Sequence, residues 1–328
     1  MNTEQITKIT GADSPMLENP LVFHIGWMRT GTTFLQGVFS KHSDIRLSLK
    51  NRFFSYDPYY LLGKPHYDTL IHDAKNQHQI IVDSDENYSM GRFKTHLRES
   101  GAKAYNYKSE LSYIHHDVDE MINRIKEMAP HAKIFGVVRK QIDWFQSVYK
   151  HDVYHFGLDQ PFKKFYESEL GLAYRKAADY CNVIESFQEA FGKENVKILL
   201  FEDFVTDQAQ FVEDLSDFLK VDIKINNEEK LKKNASTSEF FTMLHQKANL
   251  LSEPNPGRPE RKGYELLRSA IYKLDHLAGK MDLNIPTQVI SDAMSQLVFN
   301  EFEESNKKLG ALLKKESALA KYGYYNSK

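Results

Sequence analysis

The sequence predicts a three-layer α/β fold: a parallel central sheet, helices on both of its faces, and a mainly helical C-terminal extension. Three observations carry this. The apolar runs LVFHIG (21–26), QIIVDS (79–84), KIFGVVR (133–139) and VKILLFED (196–203) lack the in–out alternation of a half-exposed sheet and read as strands buried on both faces. Helical periodicities separate them, and strands that alternate with helices pair in parallel through right-handed crossovers. From about residue 226 the strand signals stop and the chain reads as helices joined by polar loops.

The elements follow in order. Residues 1–20 form a polar, loose segment, and residues 21–328 form one domain, with 226–328 as its extension. After LVFHIG comes TTFLQGVFSKH, with Phe34, Leu35, Val38 and Phe39 at helical spacing. QIIVDS runs into an acidic turn, Asp85-Glu86-Asn87. A helical pattern covers about 109–128 through Leu111, Ile114, Val118, Met121, Ile122 and Ile125, and Pro130 ends it. KIFGVVR precedes a helix through DWFQSVYKH, and a further helix spans about Tyr174 to Phe191, closed by Gly192. VKILLFED leads to the amphipathic QAQFVEDLSDFLKV; then come the polar NNEEKLKKNASTS and the loop SEPNPGRPERKG at 252–263.

Composition excludes several classes. Of 328 residues, 41% are apolar and 12% aromatic, enough for a large core rather than a disordered chain. A formal charge of −2 speaks against a protein that coats a nucleic-acid backbone. Cys181 is the only cysteine, so an intramolecular disulfide and a cysteine-rich zinc site are both ruled out. The first twenty residues lack the apolar core of a signal peptide, and no apolar run is long enough to span a bilayer. The expectation is a cytoplasmic protein with no integral membrane association and no nucleic-acid partner.

The stretch FHIGWMRTGTTFLQ, from Phe23 to Gln36, has the strand–GxxxxG–helix rhythm of an anion-holding loop. Backbone N–H groups and the helix N-terminus converge on a phosphate there; Thr30, Thr32 and Thr33 add hydroxyls, and Arg29 adds charge. Where a triphosphatase carries Lys-Ser or Lys-Thr after the second glycine, Gly31, this chain has Thr32-Thr33. The usual magnesium arrangement is thereby removed, and ATP hydrolysis is disfavoured. A glycine- and threonine-rich turn without a ligand is the competing reading.

In VVRKQIDWFQSVY, Arg139 stands at a strand's carboxyl end, where crevices of open α/β sheets lie, and Ser147 falls eight residues later on the next helix. The pair can grip a second phosphate by a charged fork and a hydroxyl; a structural ion pair at Arg139 is the alternative.

With both motifs in view, the chain resembles the sulfotransferases that use 3′-phosphoadenosine-5′-phosphosulfate. MRTGTTFLQ is similar to their 5′-phosphosulfate loop, and R-x7-S at Arg139 and Ser147 to their 3′-phosphate motif. The run from Tyr174 to Asp222 resembles the family's helix, "FG", strand, "YED" and "FLG" progression, and FEESNKKLGALLKKESALAKYGYY resembles the end of bacterial members. The resemblance implies a fold like that of the phosphate-loop nucleotide hydrolases. It further implies Arg29, Thr30, Gly31, Thr32, Thr33, Phe34, Arg139 and Ser147 as donor-binding residues, and no required metal. Arg261, Lys262 and Gly263 resemble an Arg-Lys-Gly that binds the 3′-phosphate in animal members; a solvated basic turn is the other reading. The chain departs from the pattern twice. Arg29 stands where many animal members have lysine, and an arginine stabilises charge without serving as an acid. Phe201 stands where "YED" has tyrosine.

Sulfonate transfer needs a base for the acceptor, cationic and N–H donors around the transferring group, and exclusion of water. Glu86 is the expected base, placed by QIIVDS at the same sheet edge as Arg29 and Arg139, and "SDEN" resembles the glutamate used by carbohydrate- and tyrosine-directed members. A turn acid that caps a helix is its competing reading. KTHL at 94–97 matches the animal enzymes' catalytic histidine motif in letters, with His96 as base, but falls within RFKTHLRES, which reads as helix some ten residues beyond the strand. The acceptor is expected to be a small molecule or a glycan- or lipid-linked hydroxyl. A nucleotide kinase on a degenerate Walker loop and a non-catalytic scaffold are the alternatives.

Overall fold

The computed structural model describes residues 21–49, 79–86, 88–89, 92–94, 114–224, 238–251, 262–281 and 287–326, with the single positions 72, 74 and 77. The segment 1–20, the aromatic stretch 52–64, His96, Arg261 and most of the loops 226–238 and 252–263 lie outside the described residues.

The elements are β1 (Leu21–His24), α1 (Thr32–Phe39), β2 (Ile45–Leu49), β3 (Ile80–Ser84), β4 (Arg92–Lys94), β5 (Ile114–His116), α2 (Val118–Met128), β6 (Lys133–Val138), α3 (Gln141–His155), α4 (Phe162–Glu167), α5 (Glu169–Ala178), α6 (Tyr180–Phe191), β7 (Val196–Leu200), α7 (Phe201–Thr206), α8 (Gln208–Leu219), α9 (Glu239–Asn249), α10 (Lys262–Lys280), α11 (Asp292–Leu313) and α12 (Glu316–Lys321). Five strands form one parallel sheet in the order β2-β3-β1-β6-β7. Alternate residues of each strand face opposite ways, and two separate cores result. On one face Phe23, Ile81, Ile134 and Ile198 pack under α2, α3, α6 and α11; on the other Val22, Val82, Phe135 and Leu199 pack under α1, α7 and α8. The three-layer expectation therefore holds.

The C-terminal helices are part of this core. Val298 and Phe302 of α11 are buried in the first cluster. Asn306 of α11 exchanges hydrogen bonds with the buried Gln141 side chain at 2.8 and 3.0 Å and donates to the Tyr324 carbonyl at 3.0 Å. Asn306→Ala strands these partners without water, so we expect a loss of about 2–4 kcal/mol, read as a lowered urea midpoint with an unchanged m-value.

Five element boundaries differ from expectation. Ile114 belongs to a strand, and the helix expected over 109–128 begins at Val118, where the Asp117 carboxylate accepts from the Glu120 N–H at 2.9 Å. Its upstream residues pair antiparallel with Arg92–Lys94, so RFKTHLRES opens as a strand and KTHL starts at a strand's end after all. The helix expected from Tyr174 to Phe191 breaks at Asp179. Two carbonyls at the break are claimed by buried side chains: Trp27 Nε1 donates to Ala177 at 2.7 Å and Gln141 Nε2 to Ala178 at 3.2 Å. Finally, β7 stops at Leu200, and Phe201-Glu202-Asp203 form the first turn of α7. Lys262 and Gly263 open α10 rather than closing a loop.

Candidate active site

The strand order places the site. β1 lies between β3 and β6, so the loop leaving β1 is flanked on one side by the turn after β3, which carries Glu86, and on the other by Arg139 after β6. This is the carboxyl edge of an open parallel sheet, where ligands bind.

Buried groups fix the loop from below. The Ile25 N–H donates to the Phe135 carbonyl at 2.9 Å, the Trp144 indole N–H to the Met28 carbonyl at 2.8 Å, and the Thr30 hydroxyl to the Trp27 carbonyl. The loop turns through two left-handed residues, Arg29 at φ 65° and Gly31 at φ 89°. Glycine adopts that region freely; arginine at that φ carries a cost of roughly 1–2 kcal/mol, which the surrounding anchors sustain. Gly26 has a different reason to be glycine. A Cβ there would stand 2.4 Å from His24 Nε2.

Arg29 brings the two sequence motifs together. Its Nε donates to Ser147 Oγ at 3.2 Å, while Arg139 Nη1 lies 3.4 Å from the Arg29 carbonyl, at the long limit for a hydrogen bond. Glu86 acts on the same guanidinium: burial and Arg139 hold Arg29 below its ordinary range, and Glu86 opposes them. An arginine stays charged at neutral pH under such shifts. Arg29 thus contacts Ser147 and lies within electrostatic reach of Arg139 and Glu86.

The threonines divide. Thr30 and Thr32 are buried and Thr33 is exposed. Thr30 is consumed by the loop's own bond, whereas the Thr32 hydroxyl is buried with no hydrogen-bond partner among the described residues. An orphaned hydroxyl at the N-terminus of α1, where no side chain caps the helix, fits an anion. Phe34 packs on Phe204 with ring centroids 4.9 Å apart.

Sequence reasoning missed several contributors. Lys150, one turn beyond Ser147, lies 3.9 Å from Glu239; burial lowers its pKa most, and Arg139 adds to the lowering against Glu239 and Asp275. The Phe201 ring, which stands where the "YED" pattern has tyrosine, lies 4.8 Å from the Arg139 guanidinium carbon as a cation–π contact. Glu202 accepts from the Lys140 N–H at 2.8 Å and from the Tyr324 hydroxyl at 3.0 Å, and Tyr180 donates to the Arg139 carbonyl at 2.8 Å. These bonds hold the backbone on both sides of Arg139. Residues 151–157 are the last turn of α3 and its exit, an ordinary helix end, and His155 lies within electrostatic reach of Arg29.

Two buried groups beneath the site set opposite pH responses. Burial lowers His24 to about 3. Unfolding then takes up a proton below the ordinary value near 6.5, so acid destabilises the fold between about 6.5 and 3. Burial raises Asp83 to about 7, against hydrogen bonds from Tyr88 and Ser48. The folded state keeps a proton that the unfolded chain releases above about 3.8, so stability falls as pH rises towards 7. Across the shared window the two slopes oppose. Asp83→Asn removes one of them, and its urea midpoint should climb from pH 4 to 6.5 more steeply than the wild type's. Equal slopes in the two proteins would contradict this.

Comparison with known proteins agrees with the geometry. A sequence profile described as the sulfotransferase family matches residues 20–224, well over half of the chain. Among solved structures, the chain is similar to a sulfotransferase from Alicyclobacillus acidocaldarius at 18% identity and a TM-score of 0.46, covering 81% of this chain and 97% of that one. It is also similar to the sulfotransferase domain of the Synechococcus PCC 7002 olefin synthase at 12% identity and 0.41, covering 86% and 94%. A third similar structure is mouse sulfotransferase SULT7A1 complexed with PAP, at 15% identity and 0.42, covering 90% and 88%. At such scores these likenesses carry no weight of their own. A search of curated proteins gives no significant match. The profile match, which spans Arg29, Glu86, Arg139 and Ser147, shows that the chain belongs to the sulfotransferase family.

Proposed function

We propose that this sulfotransferase takes its sulfonate from 3′-phosphoadenosine-5′-phosphosulfate and delivers it to a hydroxyl, with Glu86 as general base. The observation that supports this reading best is the Arg29–Ser147 hydrogen bond between the two candidate motifs, with Glu86 in electrostatic reach of the same guanidinium.

The residues fit such a donor. Gly31, Thr32 and the N-terminus of α1 would hold the 5′ end, and Arg139, Ser147 and Lys150 the 3′-phosphate. The bound donor supplies a sulfonate on a phosphate leaving group. Arg29 is the fixed charge for the bridging oxygen; because it does not release a proton, it acts by electrostatic stabilisation alone. Glu86 would take the acceptor's proton on a carboxylate oxygen as the hydroxyl attacks. Arg261 and His96 remain part of the proposal on sequence grounds alone, the first for the 3′-phosphate and the second as the alternative base. The acceptor we favour is a small molecule or a glycan- or lipid-linked alcohol, and a cytoplasmic setting agrees with the lone cysteine.

The test is turnover. With the sulfonate donor, chelator and a panel of sugar, lipid and phenolic alcohols, mass detection should show adenosine 3′,5′-bisphosphate and a sulfated acceptor in equal amounts. Phosphorylated acceptor formed from ATP and Mg²⁺, with no turnover of the sulfonate donor, would replace this reading with a kinase.

A further inference from the structure

The helix α10 is amphipathic on the wrong side. Its Ile271 and Ala278 pack against Phe241 and Ala248 of α9. The Asp275 carboxylate accepts from the Tyr154 hydroxyl at 3.2 Å and the Ser238 N–H at 3.3 Å, and Arg268 donates to the Tyr154 carbonyl. This accounts for the inward face. Yet Leu266, Leu274, Leu277 and Met281 are 70%, 53%, 53% and 68% exposed. With the exposed Ala270, they recur at helical spacing and form one apolar stripe along the outside. Single exposed leucines are ordinary; an aligned row of them is not.

We propose that α10 is a docking helix for an anionic lipid surface. Two features select that occupant. Lys273 and Lys280 are exposed and fall on one flank of the stripe by helical spacing, while the single carboxylate within 266–281, Asp275, is held on the opposite, protein-facing side. Apolar residues edged by lysine, with no acid between them, match the headgroup region of an anionic bilayer. Size argues against a second copy of the chain. The stripe is about 22 Å long and about 10 Å wide, roughly 200 Å², against about 800 Å² per partner in a stable complex. No described helix is long and apolar enough to cross a membrane, so the contact is peripheral.

The docking claim itself does not depend on the reaction proposed above.

The experiment is co-sedimentation of the full chain with phosphatidylcholine vesicles, with and without a third of phosphatidylglycerol, and no sulfonate donor present. The wild type should pellet with the anionic vesicles and be released by salt. A variant carrying Leu266→Gln, Leu274→Gln and Leu277→Gln should lose more than roughly tenfold in partitioning at an unchanged melting temperature. Lys273→Glu with Lys280→Glu should weaken only the anionic preference. Failure of the wild type to bind anionic vesicles would overturn the proposal. So would a wild-type dimer in sedimentation velocity that the leucine variant abolishes, or a leucine variant whose melting temperature falls because the chain itself covers the stripe.

Discussion

Glu86→Gln is expected to lower kcat by roughly 10²–10⁴-fold, the usual contribution of a positioned general base. Affinity for adenosine 3′,5′-bisphosphate should stay close to the wild-type value. The amide keeps the side chain's size and loses only its capacity to hold the acceptor's proton. Removing the negative charge also removes the pull that Glu86 exerts on Arg29, so a small gain in anion affinity is the direction of any change. Steady-state kinetics beside calorimetry check both halves. A variant with near-wild-type kcat would transfer the assignment to another group. His96 would then be the first to test, because the strand at Arg92–Lys94 places KTHL at a strand's end.

Arg29→Ala should lower kcat by about 10²–10³-fold, the scale for removing one preorganised charge donor from a transferring group. Stability should change little, because alanine inherits the same left-handed backbone and gives no relief of its strain. Arg29→Lys should fall between the two. Lysine restores a positive charge but not the fixed planar fork that donates to Ser147 at 3.2 Å. Measuring kcat and donor KM for the three proteins checks the order. Equal kcat values for alanine and arginine would show that the charge does not act on the reaction.

Much of this architecture was legible because buried parallel strands leave unbroken apolar runs. Phe23, Val82 and Val137 alternate between two cores exactly where strand geometry sends them, with no polar face to disguise the pattern. Failures came where tertiary demands override a local signal. The pattern from Tyr174 to Phe191 stays in helical phase through Asp179, and only the distant Trp27 and Gln141 explain why the backbone opens there. The pair β4–β5 involves three residues on each side, too few for a period of two to show. The site divides in the same way. Glycine spacing and an arginine eight residues before a serine are written locally, so both candidate motifs stand out in the sequence. Lys150, the ring of Phe201 over Arg139 and the Glu202–Tyr324 bond join segments far apart in the chain, and no local pattern announces them. The stripe on α10 was hidden for another reason: Leu266, Leu274 and Leu277 have the spacing of a buried face, and only their exposure shows that the packed face is a different one.

The central claim is that one adenosine bisphosphate spans the loop and the Arg139/Ser147 pair. Calorimetric titration of the protein with adenosine 3′,5′-bisphosphate in a chelating buffer tests it most directly. One site per chain is predicted, and Arg139→Ala with Ser147→Ala should weaken it by roughly 10²-fold or more, as expected for the loss of two hydrogen bonds to a charged group. Full affinity in the double variant, or wild-type binding of ATP with Mg²⁺ in place of the bisphosphate, would contradict it.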